Sequence, residues 1–245
     1  MFGIALLCAA ALLGKAGPAQ AIIGGRPGGG VATAHTVMIV STRGASCSGT
    51  LIAPDLVLTA AHCLAPAGNY AVALVGGGTP RLVPALRIAI HPRFDREQFH
   101  TRRPTPDLAL MKLSEVLPAS FRPARLSADP SLPARGTDFL IAGYGMEADG
   151  AEATAGTLRS VNLPSIGTTG GIMVRLAPVM GLVGACTGDS GGPAFLGSVL
   201  TGVVGWATGP GGTRGCGGVT GVTLVGLHRD WIDSTAAKLG SPLKE

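Results

Sequence analysis

The stretch Thr187-Gly188-Asp189-Ser190-Gly191-Gly192-Pro193 sets a hydroxyl between glycines, directly after an acid. Glycines there let the backbone turn tightly and come close to a bound molecule. In such a turn the N–H groups of Gly188 and Ser190 point at one spot and would hold an oxyanion beside the hydroxyl. A serine hydroxyl is a weak nucleophile by itself. It needs a base to take its proton, and the base needs a third group to orient it. Two upstream stretches offer these partners, Thr59-Ala60-Ala61-His62-Cys63 and Asp107-Leu108-Ala109-Leu110-Met111-Lys112-Leu113. His62, whose ring titrates near neutrality, would take the Ser190 proton and later protonate a leaving group. Asp107 would fix the imidazole tautomer and stabilise the imidazolium. Each residue alone has a plainer reading, as a turn serine, a surface histidine or a cap aspartate. Turn chemistry does not require the three motifs together.

Composition indicates what must position them. The chain has 245 residues, 46% apolar and 13% charged, with 39 Gly and 18 Pro. That profile suits one large β domain or two small ones, built of many short strands joined by turns. The formal charge of +5 is spread out. No Lys/Arg run interleaves with aromatics, so nucleic-acid binding is not indicated. At the N-terminus, Ile4 to Leu13 is an apolar core followed by Ala19-Gln20-Ala21. It reads as an export signal over residues 1–21, with Cys8 inside it and a cleavage site before Ile22. The segment is too short to span a bilayer. No Lys or Arg precedes the apolar run, a departure from the usual signal.

Four cysteines remain after that segment: Cys47, Cys63, Cys186 and Cys216. An even count in an exported chain points to two disulfides, with three connectivities open. The metal alternative is weak, since neither C-x-x-C nor H-E-x-x-H is present. Strands are expected at 36–40, 47–51, 56–59, 72–75, 82–90 and 108–113, with a turn at Pro54-Asp55. Residues 93–106 read as a surface loop and 118–135 as a crossover between two halves. Further strands are expected at 139–145, 158–163 and 200–206. Residues 164–184 read as short and Gly-rich, and 208–215 as an insertion. A C-terminal helix is expected over about 231–240, with Gly240 as its stop. His35, His91, His100 and His228 carry no motif and read as structural or exposed.

Together the three motifs resemble the chymotrypsin/trypsin-like serine endopeptidases, in a bacterial-type secreted form. The order His62, Asp107, Ser190 is theirs, and the resemblance runs from Ile22 to about Ile232. It implies an all-β fold of two packed six-stranded antiparallel β-barrels with a short C-terminal helix. The expected divisions are a signal peptide at 1–21, an N-terminal barrel over about 22–120 and a C-terminal barrel over about 130–232. It implies pairings Cys47–Cys63 and Cys186–Cys216; the first closes a loop worth roughly 3 kcal/mol. It implies that Ile22, freed as an N-terminus, pairs its ammonium with Asp189 and locks the oxyanion loop. Signal removal would then itself activate the chain; the plainer alternative makes Ile22-Ile23-Gly24-Gly25 simply a first strand.

By the same resemblance Gly184 lies at the base of the primary pocket, where Arg/Lys-cleaving relatives carry Asp. Gly205, Trp206 and Ala207 form one wall, and Thr220 or Gly218 the far wall. An unpaired ammonium in a pocket without an acid is costly, so a small or apolar side chain is favoured before the scissile bond. Asp149 and Glu152 are the acids that would reverse this by reaching the pocket. Relatives carry Ser at the position of Gly205, supporting the triad aspartate. The reading is therefore a secreted or periplasmic serine endopeptidase, a monomer without metal or cofactor. Its partners are a protein or peptide substrate and a protein inhibitor, with no nucleic acid and no membrane after signal removal. The alternatives are a weakly active or inactive homologue serving as a binding module, and an esterase.

Overall fold

The computed structural model describes residues 22–76, 79–101 and 103–244. The leader expected over residues 1–21, with Cys8, lies outside them.

A two-residue strand β1 (Arg26–Pro27) and a short helix α1 (Gly30–His35) open the described chain. Six strands then close into a barrel: β2 (Thr36–Ser41), β3 (Ser46–Ala53), β4 (Leu56–Thr59), β5 (Tyr70–Leu74), β6 (Arg81–Ile90) and β7 (Ala109–Leu113), in the order β2-β3-β4-β7-β6-β5. Short helices α2 (Ala61–Leu64) and α3 (Gln98–Thr101) interrupt its connections. Leu56, Leu58, Leu110 and Met111 are fully buried, Met111 on the opposite face of the barrel wall from the three leucines. Closing the sheet on itself leaves this barrel no free edge.

After β8 (Arg125–Leu126), a second barrel follows. Its strands are β9 (Asp138–Gly143), β10 (Arg159–Thr169), β11 (Met173–Leu176), β12 (Pro193–Leu196), β13 (Val199–Ala207) and β14 (Thr220–Leu224). They run β10-β11-β14-β13-β12-β9, and β9 pairs with β10 to close the ring. The fold is thus two six-stranded antiparallel barrels. Phe195, Leu200 and Val203 of the second barrel belong to the same core cluster as the first, so the two halves share buried apolar surface.

Besides the two-residue β8, three strands differ from the sequence reading. β11, β12 and β14 lie where glycines and Pro193 obscure any alternation, and their pairing comes from neighbours distant in sequence. Ile22–Pro27 also differs. Grouped by sequence with the first barrel, this segment belongs to the second. β1 pairs with β10, Ile23 bridges Gly184, and Ile22 is fully buried in the second core.

The C-terminal helix α4 spans Arg229–Lys238 and buries Ile232, Thr235 and Ala236 on one stripe. Gly240, at φ +79°, ends it. Gly240 N donates to Ala237 O and Ser241 N to Ala236 O, both at 3.0 Å, the paired closure of a left-handed C-terminal glycine. Beside α4, His91 and His228 meet edge to face with ring centroids 5.1 Å apart, and Trp231 lies 4.7 Å from His91. Burial, and then neighbouring positive charge including Arg93, holds both histidines down at about 4. The unfolded chain takes up these protons at higher pH than the folded one. Stability is therefore complete above about 6.5 and is lost as pH falls toward 4. Chemical denaturation at pH 7 and pH 4.5 should show a lower midpoint at the acid pH. His228→Phe should shrink that difference.

Candidate active site

Strand register brings His62 and Asp107 together. Thr59 of β4 pairs with Ala109 of antiparallel β7. The chain leaves β4 toward His62 at the same barrel end where it enters β7 from Asp107. His62 sits on α2, with its ring one-quarter exposed. Its Nδ1 lies 2.7 Å from Asp107 Oδ2, and its backbone N–H donates to Asp107 Oδ1 at 2.9 Å. Asp107 is 1% exposed. A buried carboxylate must be hydrogen-bonded, and here one histidine supplies a donor to each oxygen.

Ser190 comes from the second barrel. Its carbonyl accepts the N–H of Ser48, on β3 of the first barrel, at 2.8 Å. Gly191 N donates to Val204 O at 2.7 Å and Val204 N to Gly192 O at 2.9 Å, which ties the turn to β13. The Ser190 hydroxyl donates to Gly205 O at 3.4 Å. Ser190 and His62 line one cleft of about 330 Å³. Gly188 has φ +95°, a region that glycine enters freely. Among the described residues no acceptor takes the N–H of Gly188 or Ser190, so both are free for a ligand oxygen.

Sequence reading missed Ser48. Its hydroxyl donates to Gly188 O at 2.9 Å and accepts from Tyr144 N at 2.9 Å. It pins the serine loop to both barrels. Only its place beside Cys47 marks it, and that carries no chemical signal.

Asp189 is 1% exposed and accepts from Cys186 N and Gly145 N, each at 2.8 Å. Burial outweighs those two bonds and pushes its carboxyl up to about 7. A Cβ on Gly143 or Gly145 would stand 2.2 or 2.6 Å from Asp189 Oδ1, so side chains are excluded there. Ile23 and Gly184 exchange both backbone bonds at 3.1 Å, which carries buried Ile22 into this region.

The predicted pocket residues divide. Ala207 lines the cleft. Gly184 lies deeper, where a Cβ would meet Gly218 O and Thr220 Oγ1, each at 3.3 Å. Thr220 Oγ1 accepts the Ala185 N–H at 3.2 Å. Both far-wall candidates, Thr220 and Gly218, therefore face Gly184. Trp206 packs over Gly221, where a Cβ would come within 2.1 Å of its ring. Gly205 lies beside Asp107: a Cβ there would lie 3.4 Å from Asp107 Oδ2. Among the acids considered, Asp149 approaches Gly215 at the cleft rim, where a Cβ would lie 3.5 Å from its Oδ2. Glu152 lies in a one-turn 3₁₀ segment and is exposed. Cys47–Cys63 and Cys186–Cys216 are bonded. The sulfurs beside His62 are thus disulfide sulfurs rather than thiolate ligands.

Two barrels with a histidine–aspartate pair on one and a glycine-framed serine on the other match a known profile. The Trypsin family profile matches residues 22–232. The chain belongs to the trypsin family of serine proteases. It is 36% identical over 216 residues to human "Serine protease 56", covering 76% of this chain and 34% of that protein. It thus spans about a third of that relative's length. Dog "Serine protease 1" is 30% identical over 206 residues, covering 78% of this chain and 80% of the relative. A structure of human heparin binding protein superposes with a TM-score of 0.73 at 23% identity, covering 91% of this chain and all of that one. That likeness concerns the fold. The named relatives are animal proteins and give no support to the bacterial-type form expected from the sequence.

As a member of the trypsin family, the chain departs at Gly205. Gly205→Ser has room for its Cβ, with contacts of 3.4 Å or more. A hydroxyl there would donate to Asp107 Oδ2. A hydrogen bond to a charged group adds about 1.5 kcal/mol. kcat on an amide substrate is expected to rise by up to tenfold, with KM little changed.

Proposed function

We propose that this chain is a secreted serine endopeptidase acting through an acyl-enzyme, with Ser190 as nucleophile, His62 as general base and acid, and Asp107 as its orienter. The observation that carries the proposal is the pair of His62–Asp107 bonds, 2.7 and 2.9 Å, beside a serine whose loop leaves two N–H groups free. The Ser190 hydroxyl turns from Gly205 O to His62 when a carbonyl enters the cleft. Oγ attacks the carbonyl carbon, His62 takes the proton, and the Gly188 and Ser190 N–H groups hold the oxyanion. His62 then protonates the leaving amine, and water repeats the sequence on the acyl ester.

The primary pocket takes a small or apolar side chain. The Ala207 methyl narrows its mouth, Thr220 faces Gly184 at its floor, and no carboxylate is among the described lining residues. Activation proceeds by freeing the Ile22 amine. Ile22 is β-branched yet held at φ +47°, a costly conformation while residue 21 remains attached. A free terminus has no such restriction. Its ammonium would give Asp189 the cation that this buried carboxyl lacks among the described residues.

A pH test follows. Uncut, Asp189 ionises less readily folded than unfolded. Its contribution to stability is complete below about 4 and is lost as pH rises through about 7. His91 and His228 raise the midpoint of both forms across that range. The uncut chain should gain less than a chain beginning at Ile22, and Asp189→Asn should remove that difference.

The deciding experiment is intact mass of the exported protein with and without a fluorophosphonate. A parent beginning at Ile22, with one adduct absent in Ser190→Ala, is expected. The expected parent with no adduct would instead support a binding module, the role that the name of the heparin binding protein indicates for that fold relative. Adduct formation with ester but no amide turnover would support an esterase.

A further inference from the structure

The cleft continues past Ser190 along the β2–β3 hairpin. Ser41, Arg43, Ala45 and Ser46 line this end, opposite Pro66 and Tyr70. The hairpin tip is fixed. Ser41 N donates to Ala45 O and Gly44 N to Ser41 O, both at 3.1 Å. Thr42 N donates to Asn69 O at 3.0 Å, and Asn69 N returns a bond to Thr42 Oγ1 at 3.2 Å. The Arg43 stem lies over Gly68, where a Cβ would sit 3.6 Å from its Cγ and Cδ.

Two cations act on this end. Arg43 and Arg96 both favour the ionised form of the Tyr70 hydroxyl against its burial, which places their charge near that ring. Among the described residues no carboxylate pairs with either, and none lines the cleft. An electropositive wall without a partner in a partly enclosed cleft focuses its field on what binds there.

Substrate direction follows from the site. An acyl side chain enters beside Ala207 and Gly184, on the Cys186–Cys216 side of Ser190. The leaving group must then run the other way, across Cys47–Cys63 toward Tyr70 and Arg43. We propose that Arg43 selects acidic side chains in the first two residues after the scissile bond. The proposal rests on the peptidase reading above.

Acyl transfer reads this subsite in isolation. In the acyl-enzyme, Ser190 Oγ carries the acyl group as an ester. An added amine attacks the acyl carbon, the C–N bond forms and the C–Oγ bond breaks. His62 takes the proton from the amine and returns one to Oγ. The chain beginning at Ile22 would be acylated with an alanine-based ester. Asp-Gly, Asn-Gly and Lys-Gly amides would then be offered as acceptors, and the ratio of aminolysis to hydrolysis measured by mass spectrometry.

The expected result is capture by Asp-Gly amide roughly fivefold better than by Asn-Gly amide, with Lys-Gly amide the poorest. The preference should decline as salt rises, vanish in Arg43→Gln and invert in Arg43→Glu. Equal capture of the acid and its amide, or a preference that survives Arg43→Gln, overturns the inference and leaves the peptidase reading intact. Failure to form any acyl-enzyme overturns both.

Discussion

In Ser190→Ala, amide turnover is expected to fall about 10⁶-fold, and adding Asp107→Asn should remove almost nothing more. Asp107→Asn alone should lower kcat about 10⁴-fold. The reason lies in the shared proton. Asp107 accepts from the His62 N–H at 2.9 Å and faces Nδ1 at 2.7 Å. Asn can keep the backbone bond, but its amide offers the ring either a donor or a weaker neutral acceptor. The imidazole then settles in the tautomer whose Nε2 carries the hydrogen and cannot take the serine proton. Once Ser190 is gone there is no proton to take, so the second change has nothing to act on. Single-turnover kinetics on an amide substrate, with each variant and the pair, would measure this. Additive losses in the double variant would show that the residues do not work as a unit.

Gly191→Ala is expected to destabilise the protein by about 4 kcal/mol or more, which is at the far end for a single change. Gly191 has φ +84°, and a Cβ there would lie 2.0 Å from Thr59 Oγ1, 2.2 Å from Ser48 O and 3.1 Å from Ala60 N. Two of these are backbone atoms. The third is a fully buried hydroxyl already donating to Ser48 O at 2.8 Å. None can retreat without breaking the β3–β4 hairpin that leads to His62. Gly150→Ala supplies the control. It has a similar φ of +76° with nothing within 4 Å, so only the backbone strain of about 1–2 kcal/mol remains. Urea denaturation of both variants separates the two costs. Equal losses would mean that the barrel interface yields at Gly191.

The residues on which the proposed chemistry rests were legible in the sequence. Serine between glycines, histidine before a cysteine and aspartate at the head of an apolar strand are residue types whose reactivity travels with them. Strands β2, β3, β4, β6 and β7 were equally legible, because their apolar residues form contiguous runs bounded by turn residues. β11, β12 and β14 were not, since a segment of four or five residues beside or containing Gly or Pro becomes a strand only when distant strands satisfy its N–H and C=O groups. The same limit hid Ser48, whose hydroxyl matters only because Gly188 and Tyr144, distant in sequence, arrive beside it. Folding brought Gly205 to Asp107 and Gly184 against Gly218 and Thr220, and it set Arg43 at the far end of the cleft with no carboxylate partner among the described residues. Burial and neighbouring charge depend on distances across two barrels, and those distances are fixed by strand pairing between residues that the chain order keeps far apart.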